Sequence, residues 1–343
     1  MYYQIFCEEK VLIKKISCFL FALITAVAIP LSIAGCKGEN KVIKINEVTH
    51  SVFYTPLYLA DALGYFADEG YSIELTNGGG ADSTMAALLS GAADVAFCGP
   101  EAALYVLSGG SSDSPKVFGQ LTKRDGSFLV GRVAEPDFEW ANLAGKEILA
   151  GRKGGVPAMT FEYTLKLNNV TANLNYDVAF NLMTSAFESG VADYCTMFEP
   201  GASQYQAAGK GYIVASVGEA SGEVPYTCFS AKQSFIDKNP KKIDAVLRSV
   251  TKAIKYVNEN SASLVAEKIA TYFDGTSVSA LTSSIENYKK IDAWVTDMAM
   301  KESALDRLQD IMESAGELPQ RVKFADLVTT TRAHEIYQEV YNT

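Results

Sequence analysis

Beyond residue 41 the chain alternates short β-rich apolar runs with stretches of helical periodicity. Candidate strands fall at 42–48, 72–76, 93–98, 115–121, 127–133, 146–150, 192–197, 212–216 and 225–230, with helical patterns between them. This alternation predicts an α/β architecture of parallel strands and crossover helices. One helix is expected to open at Thr55-Pro56, an N-cap residue followed by Pro at the first helical position, and to stop near Gly70. From Asn239 the pattern changes. Asn239 caps and Pro240 starts a helix whose apolar residues Ile243, Val246, Leu247, Val250, Ile254 and Val257 keep a 3.6-residue period. Further helical patterns follow at 262–273, 278–291, 302–314 and 324–340, so the C-terminal third reads as all-helical, packed outside the sheets and bracing the two halves.

The segment Met85–Asp94 is echoed by Met183–Asp193, and each copy runs into a short strand and a proline-marked turn, Cys98-Gly99-Pro100-Glu101 and Phe198-Glu199-Pro200. Two copies of helix, Gly-x-Ala-Asp, strand and turn suggest two similar α/β lobes. Chance likeness is the alternative, because small residues and Asp favour such turns in any βα unit. Two lobes make a cleft, and open α/β sheets bind ligands outside the carboxyl ends of their strands.

The first 36 residues differ from the rest. Lys10, Lys14 and Lys15 form a positive region, Ile16 to Ile29 an apolar stretch, and Pro30 precedes Leu31-Ser32-Ile33-Ala34-Gly35-Cys36. This is the layout of a secretory signal. Its last four residues look like a bacterial lipobox, in which the Cys36 thiol receives a diacylglycerol and becomes the mature N-terminus. The other reading is an uncleaved anchor helix with an incidental cysteine. Residues 1–35 are thus expected to be a lipoprotein signal peptide and 36–41 a lipidated tether.

Composition narrows the function. Thirty Lys+Arg against 40 Asp+Glu give a formal charge of −10, which disfavours a nucleic-acid partner. With 48% hydrophobic and 20% charged residues the chain is neither disordered nor polytopic. Its only two histidines, His50 and His334, exclude a histidine-rich metal cage, and no metal or cofactor is expected. Once Cys7, Cys18 and Cys36 are set aside, Cys98, Cys195 and Cys228 remain, widely spaced and without a CxxC pair. They make neither a disulfide framework nor a zinc knuckle and read as small buried apolar residues.

The run Tyr54-Thr55-Pro56-Leu57-Tyr58-Leu59-Ala60-Asp61-Ala62-Leu63-Gly64-Tyr65-Phe66-Ala67-Asp68-Glu69-Gly70, behind a lipobox and an early strand, resembles the start of bacterial solute-binding lipoproteins. The nearest branch serves sulfonate, taurine and thiamine-pyrimidine-precursor importers. The resemblance continues through Gly91-Ala92-Ala93-Asp94-Val95, Leu143-Ala144-Gly145-Lys146-Glu147-Ile148 and Phe235-Ile236-Asp237-Lys238-Asn239-Pro240, and covers roughly residues 42–270. It implies a two-lobed periplasmic-binding-protein fold of type II, with two crossovers. One lobe would comprise 42–131 plus 225–343 and the other 132–224. It also implies a non-enzymatic protein, lipid-anchored through Cys36 on the extracytoplasmic face of the cell membrane, that captures a small solute and delivers it to an ABC-transporter permease. The yeast pyrimidine-synthesising relatives carry a cysteine-rich active-site motif that is absent here, so their activity does not carry over. A monomer is expected.

The loops after strands supply candidate ligand contacts. In Thr49–Tyr54, the rings of His50, Phe53 and Tyr54 could stack on a ligand and free N–H groups could receive an oxyanion; a staple over the following helix is the alternative for Phe53. In Asn77–Ser83, the glycines around Gly80 permit close backbone approach, while Asp82 could contact ligand or merely cap a helix. This loop lacks nucleotide-binding glycine spacings. In the other lobe, Gly155 and Thr160 lie on a flexible turn and the helix start after it. Cys98, Glu101 and Glu199 follow the echoed strands, although glutamate in a first helical turn is favoured by the helix dipole without any ligand. Two cleft acids would disfavour a bare sulfonate, and aromatics plus carboxylates suit an amino-heterocycle such as a pyrimidine. Two other functions stay open: an extracytoplasmic enzyme using Cys98 or Cys195 as nucleophile with His50 as base, and the ligand-sensing subunit of a membrane receptor.

Overall fold

A computed structural model describes residues 41–342; the expected signal peptide, Cys36 and residues 36–40 of the tether lie outside them. In chain order the elements are β1 (Val42–Glu47), α1 (Thr55–Ala62), α2 (Tyr65–Asp68), β2 (Ser72–Asn77), α3 (Ala81–Ser90), β3 (Val95–Cys98), α4 (Pro100–Ser108), β4 (Pro115–Thr122) and β5 (Ser127–Gly131). There follow β6 (Glu147–Leu149), α5 (Val156–Leu167), β7 (Asn173–Asn175), α6 (Met183–Glu188), β8 (Tyr194–Phe198), α7 (Gly201–Ala207), β9 (Tyr212–Ser216), α8 (Val217–Ser221) and β10 (Thr227–Lys232). The last third is α9 (Gln233–Lys238), α10 (Pro240–Glu259), α11 (Ala262–Ile269), α12 (Val278–Lys290), α13 (Glu302–Ser314), α14 (Phe324–Leu327) and α15 (Thr331–Tyr341).

The strands form two five-stranded sheets of the same plan. The first runs β2-β1-β3-β10-β4 and the second β7-β6-β8-β5-β9. In each, the first three strands are parallel and the fourth is antiparallel to both neighbours. The echoed segments therefore occupy equivalent places, because β3 and β8 are the central strands of their sheets. Both are buried along nearly their whole length, as central strands covered by helices on both faces must be.

Three details depart from the sequence expectations. The helix that opens at Thr55 breaks at Gly64, whose left-handed φ of 75° separates α1 from α2, and Thr55 is its first residue rather than its cap. Strand β7 carried no hydrophobic signal, because Asn173-Leu174-Asn175 is a short polar edge. The boundary between halves also moves. β5 pairs with β8 and β9 of the second sheet, so the chain first crosses at 123–126, before residue 131. It returns through α8 and residues 222–226. The two crossovers are hydrogen-bonded to each other, Val224 N–H to Lys123 O (2.8 Å) and Tyr226 N–H to Thr122 O (3.1 Å).

The helical third buries the apolar stripe of α10, where Ile243, Val246, Leu247, Val250, Ile254 and Val257 are all buried. It touches both halves. Residues 293–298 and 328–329 cover the open edge of β4, with Val295 N–H to Leu121 O (3.0 Å), Gln120 N–H to Met298 O (2.8 Å) and Thr329 N–H to Val117 O (2.8 Å). Across the other half, Arg307 on α13 donates to the Tyr163 hydroxyl of α5 (3.1 Å), and Lys166 Nζ on α5 donates to Ser314 Oγ (3.0 Å).

Candidate functional site

The carboxyl ends of β1, β2, β3, β6 and β8 open into one cleft of about 580 Å³. Three helices begin there. Ala81, Glu101 and Val156, at the starts of α3, α4 and α5, all line it. Its walls carry the rings of Tyr54, Phe180, Phe198 and Tyr226, with Phe180 and Phe198 edge to face at 5.9 Å. Tyr54 lies edge to face on Phe97 at 4.6 Å and accepts a hydrogen bond from Thr227 Oγ1 (3.4 Å).

Glu101 is the carboxylate of this cleft. It is 3% exposed, and burial is the main cause that pushes its carboxyl up to about 7. Its own N–H, those of Val156 and Ala102, and the charge of Arg152 act in the opposite direction. One of its oxygens, Oε2, has no hydrogen-bond partner. The place for this side chain is cleared by Gly99, where an added Cβ would collide with the Glu101 carboxylate. Gly80, with a φ of 155°, and Gly155 also line the cleft, each directly before a helix.

Of the other sequence candidates, Asp82 sits beside the cleft rather than in its wall. It forms a two-pronged ion pair with Arg152, Nη1 to Oδ2 at 2.5 Å and Nη2 to Oδ1 at 3.1 Å. His50 turns away. Its Nδ1 meets Glu47 Oε1 at 2.8 Å, its Nε2 meets the Tyr272 carbonyl at 2.7 Å, and its ring lies against Tyr58 and Phe273. The hydrogen bond to Glu47 is the largest cause of its raised pKa. Phe53 is fully buried behind the cleft among Tyr54, Phe198, Tyr226 and Tyr288. Thr160 is buried within α5 and Cys98 within the first sheet, opposite Cys228 in the β3–β10 register.

Glu199 does not mirror Glu101. Its carboxylate accepts from Ser203 N–H (3.0 Å), Ser203 Oγ (2.6 Å) and Asn287 Nδ2 (2.7 Å), tying α7 to α12. The difference is written in the turn. Glu101 follows its proline, whereas Glu199 precedes its own, so the two carboxylates leave the backbone at different places around the helix start. Arg152, Phe180, Asn181, Phe198, Tyr226 and Thr227 line the cleft without having been singled out as ligand contacts. The echo that located Glu199 also marked Phe198, its neighbour, as the end of a central strand.

Two similar α/β halves, joined by two crossovers and sharing one cleft at their strand ends, define a protein of the periplasmic-binding-protein fold. Residues 47–271 match the NMT1-like family, and the chain belongs to it. It is 38% identical over 325 residues to YtlA of Bacillus subtilis (strain 168), provisionally described as a binding protein, covering 93% of this chain and 97% of that one. Two solved structures share the fold. One is the ligand-binding component of an ABC-type import system from Staphylococcus aureus, with zinc bound (TM-score 0.69, 17% identity, 88% of this chain and 100% of that one). The other is the alkanesulfonate-binding protein SsuA from Xanthomonas axonopodis pv. citri, bound to MOPS (TM-score 0.69, 16% identity, 86% of this chain and 100% of that one).

Proposed function

We propose that this protein is an extracytoplasmic solute-binding lipoprotein of an ABC importer. It captures a small molecule between its two halves and hands it to a membrane permease, with Cys36 as the lipid anchor. The observation that carries this reading is the cleft itself. It is large enough for one small solute, and it is walled by ring faces and backbone at the switch points of both sheets. The halves that close are 42–122 with 227–232, and 127–216, while Tyr54, Gly80, Glu101 and Gly155 contact the solute. Two solute classes are proposed: an amino-heterocycle of the pyrimidine or thiamine-precursor kind, which the ring-lined wall suits, and an aliphatic sulfonate, the ligand class of the similar SsuA structure.

A binding role without turnover agrees with the thiols. Burial pushes the Cys98 thiol well up and the Cys195 thiol up to about 12, away from the thiolate that a nucleophile needs. The reading is tested by thermal denaturation of the chain with pyrimidines, thiamine precursors, sulfonates, taurine and nitrate. A solute at about 100 times its Kd adds roughly 2.7 kcal/mol, a shift of a few degrees. The anchor is tested by radiolabelled palmitate, which should label the wild type and not Cys36→Ala. A chain that no solute stabilises, or that consumes its ligand, overturns the role.

A further inference from the structure

Helix starts receive anions, because their first N–H groups are unpaired and the helix dipole is positive there. In this cleft that capacity is already taken by the protein. The Glu101 carboxylate is buried between the starts of α4 and α5, whose backbone N–H groups at Glu101, Ala102 and Val156 favour its charged form. The third helix start, that of α3, carries Asp82 in its first turn. Arg152, the one permanently cationic lining residue, spends its guanidinium fork on that same Asp82. Each positive element around the cleft therefore faces a carboxylate of the chain.

What the cleft still offers is an acceptor. Glu101 Oε2 is buried and has no hydrogen-bond partner, on a residue that lines the cavity. Buried acceptors are almost always satisfied in folded proteins, so a bound molecule is the natural source of the missing donor. Beside it stand the rings of Tyr54, Phe180, Phe198 and Tyr226, which favour a flat partner.

Building on the solute-binding reading above, we propose that Glu101 is the specificity-determining residue of the cleft. It fills the cleft's own anion site and selects an uncharged or cationic nitrogen heterocycle that donates a hydrogen bond to Oε2, against sulfonates and other oxyanions. An oxyanion would compete with the Glu101 carboxylate for those two helix starts and would lie against its charge. An amino group on a ring meets an acceptor that is already fixed in place.

The experiment is isothermal titration of the full-length chain in detergent with 4-aminopyrimidine, cytosine, ethanesulfonate, nitrate and acetate, repeated on Glu101→Gln and Glu101→Ala. Circular dichroism checks that each variant is folded. The wild type should bind at least one amino-heterocycle and no anion, and Glu101→Gln should weaken that binding about tenfold or more. Glu101→Ala, which removes the carboxylate from the two helix starts, should gain binding of acetate or nitrate that the wild type lacks. Ethanesulfonate or nitrate binding to the wild type overturns the inference while leaving the solute-binding reading intact. A folded Glu101→Ala that gains no anion also overturns it. If neither class binds wild type or variants, the inference falls together with the broader reading.

Discussion

Arg152, in the loop after β6, grips Asp82 on α3 with both ends of its guanidinium, and so joins the two halves of the molecule across the mouth of the cleft. The side chains are 54% and 73% exposed, so the pair adds only about 0–1 kcal/mol to folding. Its leverage is on the spacing of the halves. Asp82→Asn should leave the thermal midpoint within about 2 °C and increase the radius of gyration measured by small-angle X-ray scattering. High salt should do the same to the wild type. An unchanged radius in both experiments would remove the latch.

Stability should fall as pH rises through neutrality. The buried carboxyls of Glu101 and Asp125 are each pushed up to about 7, chiefly by burial. Between the ordinary carboxylate range and 7, the native state holds protons that the unfolded chain has released, so the contribution is complete at low pH and is lost as pH rises. His50, raised by its bond to Glu47, acts in the same direction. Urea midpoints taken from about pH 5 to about pH 8 should decline, and Glu101→Gln with Asp125→Asn should flatten most of that slope.

Binding itself should respond to the same carboxyl. Around Glu101 lie Arg152, Tyr54, Tyr105, Tyr226, Cys98 and Cys228, with Asp82 on the far side of Arg152. Burial raises the tyrosines and thiols among them, which leaves Glu101 as the group that titrates near neutrality. A donor ligand prefers the ionised form. Its Kd should therefore fall as pH rises towards about 7 and level off above it in titration calorimetry, and Glu101→Gln should abolish the trend.

Gly99→Ala should mimic removal of Glu101. Its new methyl group would occupy the space of the Glu101 carboxylate. The displaced side chain takes Oε2 out of its place at the cleft, and heterocycle affinity should drop about tenfold with the fold retained. Equal affinity in the variant would mean that Glu101 finds another seat.

His50→Ala should behave in the opposite way. The imidazole joins Glu47 to the carbonyl of Tyr272, and Glu47 also accepts from the Tyr58 hydroxyl (2.5 Å). Loss of the ring leaves Glu47, itself 2% exposed, with one side-chain donor fewer, at a cost of about 1–3 kcal/mol in denaturant unfolding. Solute affinity should stay within about twofold, since His50 does not line the cleft.

Nine of the ten strands and the period of α10 were legible because each has a hydrophobic pattern with a physical cause. β7 was not, because a polar edge strand buries little and leaves no such trace. The crossover was misplaced for a related reason. β5 looks like any apolar strand, and nothing local tells which sheet will receive it. In the site, backbone signals served better than side-chain identity: Gly80, Gly155 and the proline-marked turn at Glu101 all reached the cleft. His50, Phe53 and Tyr54 are near neighbours in one loop, yet only Tyr54 lines the cleft, because the short helical turn at Val52–Tyr54 points them in different directions. Glu199 was separable from Glu101 by its order relative to proline, a distinction visible in the letters alone.

The connectivity also sets an order of assembly. The second sheet is drawn from one unbroken stretch, residues 127–216, and can close as soon as that stretch is available. The first sheet has a gap between β3 and β4, which only the returning β10 can fill. β10 arrives with Tyr226 and Thr227 at its leading end, both of them walls of the cleft. Completing the first sheet therefore also completes the wall of the cleft.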